Sequence, residues 1–354
     1  MIRVLIAEDS CTTRALLVEL FASDPDFQVV GEAGDGREAV EMTRSLRPDI
    51  VTMDVRMPRM DGLEATRHIM VETPTPIVVV SATLGTDDVA ASMRAIRAGA
   101  LTALSKPPGP SAPDFEAARA KFLGTIRALA NVKVVGHRLR HYVRSQPSPR
   151  PSSSDVGHDT RAYRAGVIAI AASTGGPGAL RNVLDALPYD FPAPILVVQH
   201  LSPGFLDGFA TWLDGTSRLR VKVACEGDRV VRGHVYIAPE DRHMVVTQSG
   251  TLRALCDPAV DGFRPSASVL FESVANVYGR SACGVILTGM GRDGVQGLRR
   301  LRELGGRIIA QDEQTCSVFG MPAAAIDEGL ADFVLPISLV AGKLMAMVGQ
   351  ESSE

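Results

Sequence analysis

The chain of 354 residues is long enough for about two domains of ordinary size. Hydrophobic residues make up 45% of it and charged residues 22%, which excludes a mainly disordered, collagen-like or fibrous protein. The 37 Lys and Arg residues against 40 Asp and Glu residues give a formal net charge of −3. This balance disfavours nucleic acid as a partner, because such binding rests on neutralising many phosphates.

The cysteines and the hydropathy pattern predict a cytoplasmic protein. Five scattered cysteines without a C-x-x-C pair fit a reducing compartment. No apolar run approaches the roughly 18 residues that cross a bilayer, so we expect no direct insertion into a membrane. The segment Met1–Asp9 is too short and too acidic to be a signal peptide.

A segment rich in Pro and Ser, Ser145–Tyr163, is predicted to be a linker between two domains. On both sides of it, short β-branched runs alternate with stretches of helical period, which is typical of parallel sheets with crossover helices. We find no repeat with a period of 20 to 50 residues. Both halves are therefore predicted to be α/β domains.

The first half contains five predicted β/α units. The predicted strands are Arg3–Ala7, Gln28–Ala33, Ile50–Met53, Ile77–Val80 and Leu101–Leu104. A last helix is expected to begin near Asp114, because apolar residues then recur at spacings of three and four.

The second half contains a predicted parallel core and an insert. The core strands are expected at Val167–Ala172, Ile195–Val198, Val285–Leu287 and Arg307–Ala310. Three further runs lie close together between turn signals, and we interpret them as antiparallel hairpins. They are Val221–Ala224, Val235–Ile237 and Met244–Thr247.

Polar residues follow four of the five predicted strands of the first half. They are Glu8 and Asp9, Asp54, Ser81 and Lys106. The carboxyl ends of parallel strands form the ligand crevice of a doubly wound sheet, so three carboxylates would converge there and favour a bound Mg²⁺ ion. Together with a lysine and a hydroxyl, these groups have the parts for phosphoryl transfer to Asp54. The simpler alternative for each residue is a solvated strand end.

This half resembles the response-regulator receiver domains over residues 1–125. The matching motifs are Met53-Asp54-Val55-Arg56-Met57-Pro58-Arg59-Met60-Asp61-Gly62, Ser81-Ala82 and Ser105-Lys106-Pro107. The resemblance implies a flavodoxin-like fold and a phosphoryl group on Asp54. It implies that Mg²⁺ is held by Glu8, Asp9, Asp54 and the Arg56 carbonyl, and that Ser81 and Lys106 contact the phosphoryl group.

The chain departs from the receiver pattern in two places. Glu8 stands where many receivers carry an aspartate, and its longer side chain could reach the metal directly or through water. Ala103 stands where receivers often carry Phe or Tyr, so a switch in this chain cannot use such a ring. We also expect the Lys106–Pro107 bond to be cis.

Three polar residues of the second half lie where predicted strands end. Ser173 follows the first core strand in a turn of small residues before a helix, which suits a nucleophile but also a plain turn or helix cap. His200 ends the next strand, where it could act as a general base or be a structural histidine with satisfied hydrogen bonds. Asp293 lies in a glycine-rich turn and could orient the histidine.

The same glycine-rich turn also matches a dinucleotide-binding fingerprint. Gly289–Gly294 follows the pattern G-x-G-x-x-G, and Asp312 lies near the expected distance for a ribose contact. Against this alternative, Asp293 would place a carboxylate beside the pyrophosphate. A second alternative is a regulator whose second domain only binds a partner.

The second half resembles the catalytic domain of the chemotaxis protein-glutamate methylesterases over roughly residues 165–348. The matching segments are Ala172-Ser173-Thr174-Gly175-Gly176, Gln199-His200, Val235-Tyr236-Ile237-Ala238-Pro239, Arg264-Pro265-Ser266, Ile286-Leu287-Thr288-Gly289-Met290-Gly291 with Asp293-Gly294, and Val318-Phe319-Gly320-Met321-Pro322. The family also carries a receiver in front of this domain.

This second resemblance implies a phosphorylation-activated hydrolase. It implies that Ser173 is the nucleophile, His200 its base and Asp293 the orienting acid, with the Met290 backbone as a candidate oxyanion donor. The implied substrates are glutamate γ-methyl esters and glutamines on cytoplasmic helices of chemoreceptors, and the implied phosphodonor is a histidine kinase. No cofactor is expected in the catalytic domain. The expected boundaries are 1–125 for the receiver, 126–164 for the helix end and linker, and 165–348 for the methylesterase domain.

Overall fold

The structure, a computed structural model, describes residues 1–81, 86–130, 132, 134 and 163–349. The predicted linker lies outside these residues except for Tyr163. None of the described helices is long and apolar enough to span a membrane.

The first domain is one parallel sheet with helices on both faces. Its elements are β1 (Ile2–Ala7), α1 (Cys11–Ala22), β2 (Phe27–Ala33), α2 (Gly36–Leu46), β3 (Ile50–Met53), α3 (Gly62–Glu72), β4 (Ile77–Ser81), α4 (Thr86–Ala98), β5 (Thr102–Ser105) and α5 (Phe115–Ala130). The strand order β2-β1-β3-β4-β5 is the flavodoxin-like order, so the predicted fold of this half is confirmed.

Local signals explain where the helices of this domain begin. Asp35 accepts hydrogen bonds from the amides of Arg37 and Glu38 at the start of α2, and Asp61 accepts one from the amide of Glu64 at the start of α3. Such side chains satisfy amides that have no partner within the helix. Asp61 thereby fixes the return of the chain after β3, whose carboxyl end carries Asp54.

The second domain is built on a sheet of seven parallel strands. Its elements are β6 (Val167–Ala172), α6 (Gly176–Asp185), β7 (Ile195–Gln199), α7 (Leu206–Asp214), β8 (Arg220–Val223), β9 (His234–Ile237), β10 (His243–Val246), β11 (Leu252–Leu255), α8 (Ala267–Tyr278), β12 (Ala282–Ile286), α9 (Val295–Glu303), β13 (Arg307–Gln311), α10 (Met321–Asp327), β14 (Phe333–Leu335) and α11 (Ile337–Val348). The order is β14-β13-β12-β6-β7-β9-β8. The doubly wound α/β class is confirmed.

The predicted insert of antiparallel hairpins is wrong for two of its three strands. β8 and β9 pair in parallel and extend the main sheet beyond β7. The connection from Ala224 to Gly233 lets the chain return in the same direction, and its turn at 225–228 bonds to the segment around Leu252 instead of joining β8 to β9 as a hairpin. The antiparallel hairpin of the insert is formed by β10 and β11.

The two domains pack against each other through helices and through the edge of the receiver sheet. Helix α4 of the first domain contacts α6 and α7 of the second. Val318 of the second domain packs against a hydrophobic cluster that includes Phe122, and Leu104 packs against the same cluster. The edge formed by β5 and α5 therefore faces the carboxyl ends of the strands of the second domain.

Candidate active site

The three predicted residues of the second domain come from neighbouring strands at its topological switch point. Strand β6 lies between β7 and β12. Ser173 follows β6, His200 follows β7, and Asp293 lies in the turn between β12 and α9. Ligands of doubly wound sheets bind at such a point, because the helices that follow the two strands lie on opposite faces.

Ser173 and His200 line one crevice of about 360 Å³, and residues of the receiver line it too. The contributors from the second domain are Ser173, Thr174, His200, Leu201, Ser202, Gly262, Phe263, Arg264, Pro265 and Met290. Those from the receiver are Thr102, Ala103, Leu104, Lys121 and Thr125. The receiver therefore covers part of the crevice that holds Ser173.

The turn around Ser173 is held by close backbone contacts. Its amide donates to the carbonyl of Thr288 at 3.0 Å, and its carbonyl accepts from the side-chain amide of Gln199 at 2.8 Å. A Cβ atom on Gly289 would lie 2.8 Å from the Cβ of Ser173, too close for a larger residue. Gly175 has a φ of 77°, which a glycine adopts without strain. The hydroxyl group is thus carried on a tightly packed strand-to-helix turn.

His200 bonds to Asp293 through one ring nitrogen and keeps the other free. Nε2 of His200 lies 2.9 Å from Oδ2 of Asp293. Nδ1 is buried and has no hydrogen-bond partner among the described residues, so it does not bond to Ser173. The ring stacks on Phe263 with the centroids 4.2 Å apart and the planes 10° apart. Nδ1 is therefore the ring nitrogen that remains open to accept a proton.

Asp293 is held at the N-terminus of α8. Its Oδ1 accepts from the Ser266 hydroxyl at 2.7 Å and from the Ser268 amide at 3.1 Å, and its Oδ2 accepts from the Ala267 amide at 2.7 Å. Asp293 is 1% exposed. Burial alone would raise the pKa of Asp293, but the bonds from His200, Ala267 and Ser266 outweigh it and hold that pKa below its ordinary value.

This depressed pKa predicts how Asp293 links stability to pH. A carboxylate with a lowered folded-state pKa stabilises the protein above its ordinary pKa, and this stability is lost as the pH falls through the lower folded-state pKa. The urea midpoint of the catalytic domain should therefore fall less between pH 7 and pH 3 in Asp293→Asn than in the wild type. Equal decreases in wild type and variant would contradict the expectation.

The dinucleotide alternative is not supported by the glycine-rich turn. The oxygens of Asp293 accept bonds from α8 and His200, so a carboxylate occupies the place where a phosphate cradle would need free amides. Asp312, the candidate for the ribose contact, accepts hydrogen bonds from the amide and the hydroxyl of Thr315.

Met290, the predicted oxyanion donor, lies in the same glycine-rich turn as Asp293. It is 41% exposed and lines the crevice.

The acidic residues of the receiver also come together. Ligand oxygens of Glu8, Asp9 and Asp54 lie within 4.8 Å of one another. The Lys106 ammonium lies 2.7 Å from Oδ2 of Asp54 and 2.8 Å from Oε2 of Glu8. Burial and the charge of Asp54 raise the pKa of Glu8 despite the lysine. Burial lowers the pKa of Lys106, but the bonds to Asp54 and Glu8 outweigh it and raise that pKa.

The remaining predicted residues of the receiver lie around Asp54. Ser81 is buried at the end of β4, and its carbonyl accepts from the Lys106 amide at 3.0 Å. The Arg56 amide lies 3.4 Å from Oδ1 of Asp54. The prediction of a cis bond at Lys106–Pro107 is wrong, since the cis peptide bond found in the described part of the chain is Arg264–Pro265.

Several residues that position the candidate triad had no role predicted from the sequence. Ser266 had a usable signal, because a serine directly before an apolar helical run is a typical N-cap. Phe263 and Gln199 had none: an aromatic residue in a turn and an amide at a strand end are common, and their contacts depend on distant residues.

Comparisons with known proteins match both domains. The family described as "CheB methylesterase" matches residues 168–344, and "Response regulator receiver domain" matches residues 4–112. A protein-glutamate methylesterase/protein-glutamine glutaminase of Myxococcus xanthus is 51% identical over 97% of this chain and 96% of its own. One of Anaeromyxobacter dehalogenans is 48% identical over 97% of this chain and 98% of its own.

A solved structure matches the second domain. The CheB methylesterase catalytic domain of Thermotoga maritima is 42% identical with a TM-score of 0.50, and the match covers 51% of this chain and 97% of that one. The family models, the near full-length relatives and the fold agree. The chain therefore belongs to the CheB methylesterase family, with a response-regulator receiver domain in front of the catalytic domain.

Proposed function

We propose that the protein hydrolyses glutamate γ-methyl esters, and deamidates glutamines, on the cytoplasmic helices of chemoreceptors. The names of its relatives, protein-glutamate methylesterase and protein-glutamine glutaminase, support glutamate esters and glutamines of proteins as the substrate class. The observation that carries the chemistry is the hydrogen-bonded pair of Asp293 and His200: Nδ1 of His200 has no partner among the described residues, and His200 lines the crevice that Ser173 also lines.

In this proposal the triad works through an acyl-enzyme. Nδ1 of His200 takes the proton of Ser173 as Oγ attacks the γ-carbonyl carbon, and Asp293 stabilises the resulting imidazolium. The oxyanion lies at the start of α6, near the backbone of Met290. His200 returns the proton to the leaving group, which departs as methanol or ammonia. Water then attacks the ester on Ser173 by the same proton path and releases glutamate.

The orientation of the imidazole differs from the trypsin-like arrangement. There, Nδ1 bonds to the aspartate and Nε2 faces the serine; here Nε2 bonds to Asp293. Either nitrogen of a neutral imidazole can carry the proton while the other accepts one, depending on the tautomer. The same chemistry is therefore available with the ring reversed.

Release of labelled methanol tests the proposed function. We expect the wild-type protein to release methanol from membranes that contain methyl-labelled receptors, and His200→Ala to lose this activity. Equal rates for both proteins would favour the alternative in which the second domain only binds a partner. Ammonia release from matched receptors with glutamine at the same sites measures the deamidation.

The receiver is proposed to regulate this reaction through phosphorylation of Asp54 by a histidine kinase. Three carboxylates within reach of one ion fit Mg²⁺, which prefers such oxygen ligands. Glu8, Asp9, Asp54 and the Arg56 carbonyl would hold the ion, which would neutralise charge on the phosphoryl oxygens. Ser81 and Lys106 would contact the phosphoryl group.

The position of the receiver supports control by occlusion. Thr102 and Leu104 of β5 and Lys121 of α5 line the crevice of Ser173. Lys106, two residues after Leu104, pairs with Asp54. A phosphoryl group on Asp54 would draw Lys106 to new oxygens and shift the end of β5, which loosens the cover. Ala103, between Thr102 and Leu104, lines the crevice as well. The proposed shift of β5 does not depend on an aromatic ring at that position.

Removal of divalent cations separates the two sites. With EDTA, we expect a small-molecule phosphodonor to lose its stimulating effect, because the carboxylates around Asp54 repel the phosphoryl group without the ion. The rate without phosphodonor should stay unchanged, since none of the proposed catalytic steps uses a metal. Loss of both rates on metal removal, with recovery on adding Mg²⁺, would contradict this assignment.

The domain limits complete the proposal. We assign residues 1–125 to the receiver, 126–164 to the helix end and linker, and 165–348 to the methylesterase domain. The helix α5 continues to Ala130 and carries Thr125 and Lys121 toward the crevice. A chain that acts on cytoplasmic helices and receives phosphate from a histidine kinase would work in the cytoplasm.

A further inference from the structure

A buried imidazole lies behind the candidate triad, where the hairpin of β10 and β11 meets α8. His243 is the first residue of β10 and is 1% exposed. Its Nδ1 accepts from the amide of Ser266 at 3.1 Å, and its Nε2 lies 3.1 Å from the carbonyl of Pro258. An amide can only donate and a carbonyl can only accept. The ring is therefore neutral, with its proton on Nε2.

One of the two bonds leads to Asp293. Ser266, whose amide bonds to His243, donates its hydroxyl to Oδ1 of Asp293 at 2.7 Å. The next amide, of Ala267, donates to Oδ2 at 2.7 Å. The imidazole of His243 thus fixes the chain at the start of α8, which holds the carboxylate bonded to His200.

The other bond leads to Phe263. Pro258 opens the segment that ends at Phe263, and Val260 and Phe263 exchange two backbone hydrogen bonds, at 2.9 and 3.1 Å. This tight turn places the phenyl ring in a stack on the ring of His200. The two groups that hold His200, a carboxylate at its edge and a phenyl ring at its face, are therefore both tied to His243.

We propose that His243 is a positioning residue for the triad. Its neutral ring, protonated at Nε2, locks the turn at 258–263 to the start of α8, so that Asp293 and Phe263 hold His200 with Nε2 on the carboxylate and Nδ1 open to accept a proton. His243 does not line the crevice and acts only through these neighbours. The inference rests on the proposed function, because it concerns the alignment of that reaction's base.

Two substitutions in the full-length protein separate the ring's hydrogen bonds from its volume. His243→Phe keeps an aromatic ring and removes both bonds, whereas His243→Asn keeps an acceptor for the Ser266 amide. The matched control is His234→Phe, on β9, where the ring bonds to the Arg232 carbonyl and does not line the crevice. All variants are assayed by methanol release, below their melting temperatures.

We expect His243→Phe to lower kcat by about 10- to 100-fold, the usual consequence of a misaligned catalytic group, with little change in KM. His243→Asn should recover most of this loss, and His234→Phe should match the wild type. A kcat of His243→Phe equal to that of the wild type would overturn the proposal, as would equal losses in His243→Phe and His243→Asn.

A measurement on the wild-type protein tests the same geometry without activity. Two-bond ¹⁵N–¹H correlations of histidine rings distinguish the tautomers, and the signals of His243 are identified by their loss in His243→Asn. We expect a neutral ring with its proton on Nε2. A ring protonated on Nδ1, or a charged ring, at the pH of the assay would overturn the proposal. Failure of the proposed function would be distinct, since the wild type would then release no more methanol than Ser173→Ala.

Discussion

Ser173→Ala is expected to lower the rate of methanol release by about 10³- to 10⁶-fold, the range found when the nucleophile of a hydrolytic triad is removed. The loss should fall on kcat, because the substitution removes the bond-forming atom and leaves the walls of the crevice. Binding of the receptor helix should stay near the wild-type level.

A neighbouring serine provides the control for this variant. Ser202 lines the same crevice and follows His200 by two residues, but it takes no part in the proposed mechanism. Ser202→Ala should therefore retain activity close to that of the wild type. A strong loss of activity in Ser202→Ala together with an active Ser173→Ala would show that Ser173 is not the nucleophile.

Asp54→Asn is expected to abolish activation by a phosphodonor. In the wild type, release of the cover should raise the rate by about 5- to 150-fold, the range of ordinary coupling free energies between sites. The asparagine cannot accept the phosphoryl group, so the variant should stay at the unphosphorylated rate. Methanol release with and without a small-molecule phosphodonor measures the effect.

The control for this variant lies at the other end of the same strand. Asp49 precedes β3 and bonds to the amide of Arg3, whereas Asp54 follows β3. Asp49→Asn should be activated like the wild type. Full activation of Asp54→Asn would contradict the proposed control of the crevice by the receiver.

Most of the fold could be predicted because its signals are local. Buried parallel strands appear as short β-branched runs, and the segment Val167–Ala172 agrees with β6 residue for residue. The prediction failed at β8 and β9, since the direction of pairing depends on where the connecting chain packs. The segment Glu226–Asp228 does form a turn, as its glycine indicates, but this turn lies within a connection that bonds to the segment around Leu252.

The site was predictable where polar residues end parallel strands, because such ends meet at one edge of a sheet. This rule brought Ser173, His200 and Asp293 to one place from distant parts of the chain. It says nothing about Phe263, which lies in a turn, or His243, which lies in the hairpin. Those contacts follow from packing between segments, for which one sequence carries no periodic signal.

The central claim is that Ser173 and His200 act as one catalytic unit, although Nδ1 of His200 has no partner among the described residues. A double-mutant cycle of Ser173→Ala and His200→Ala, measured as single-turnover methanol release, tests this claim most directly. We predict that the double variant is no slower than the slower single variant, because removing either member disables the pair. Losses that multiply in the double variant would show two independent contributions and contradict the account.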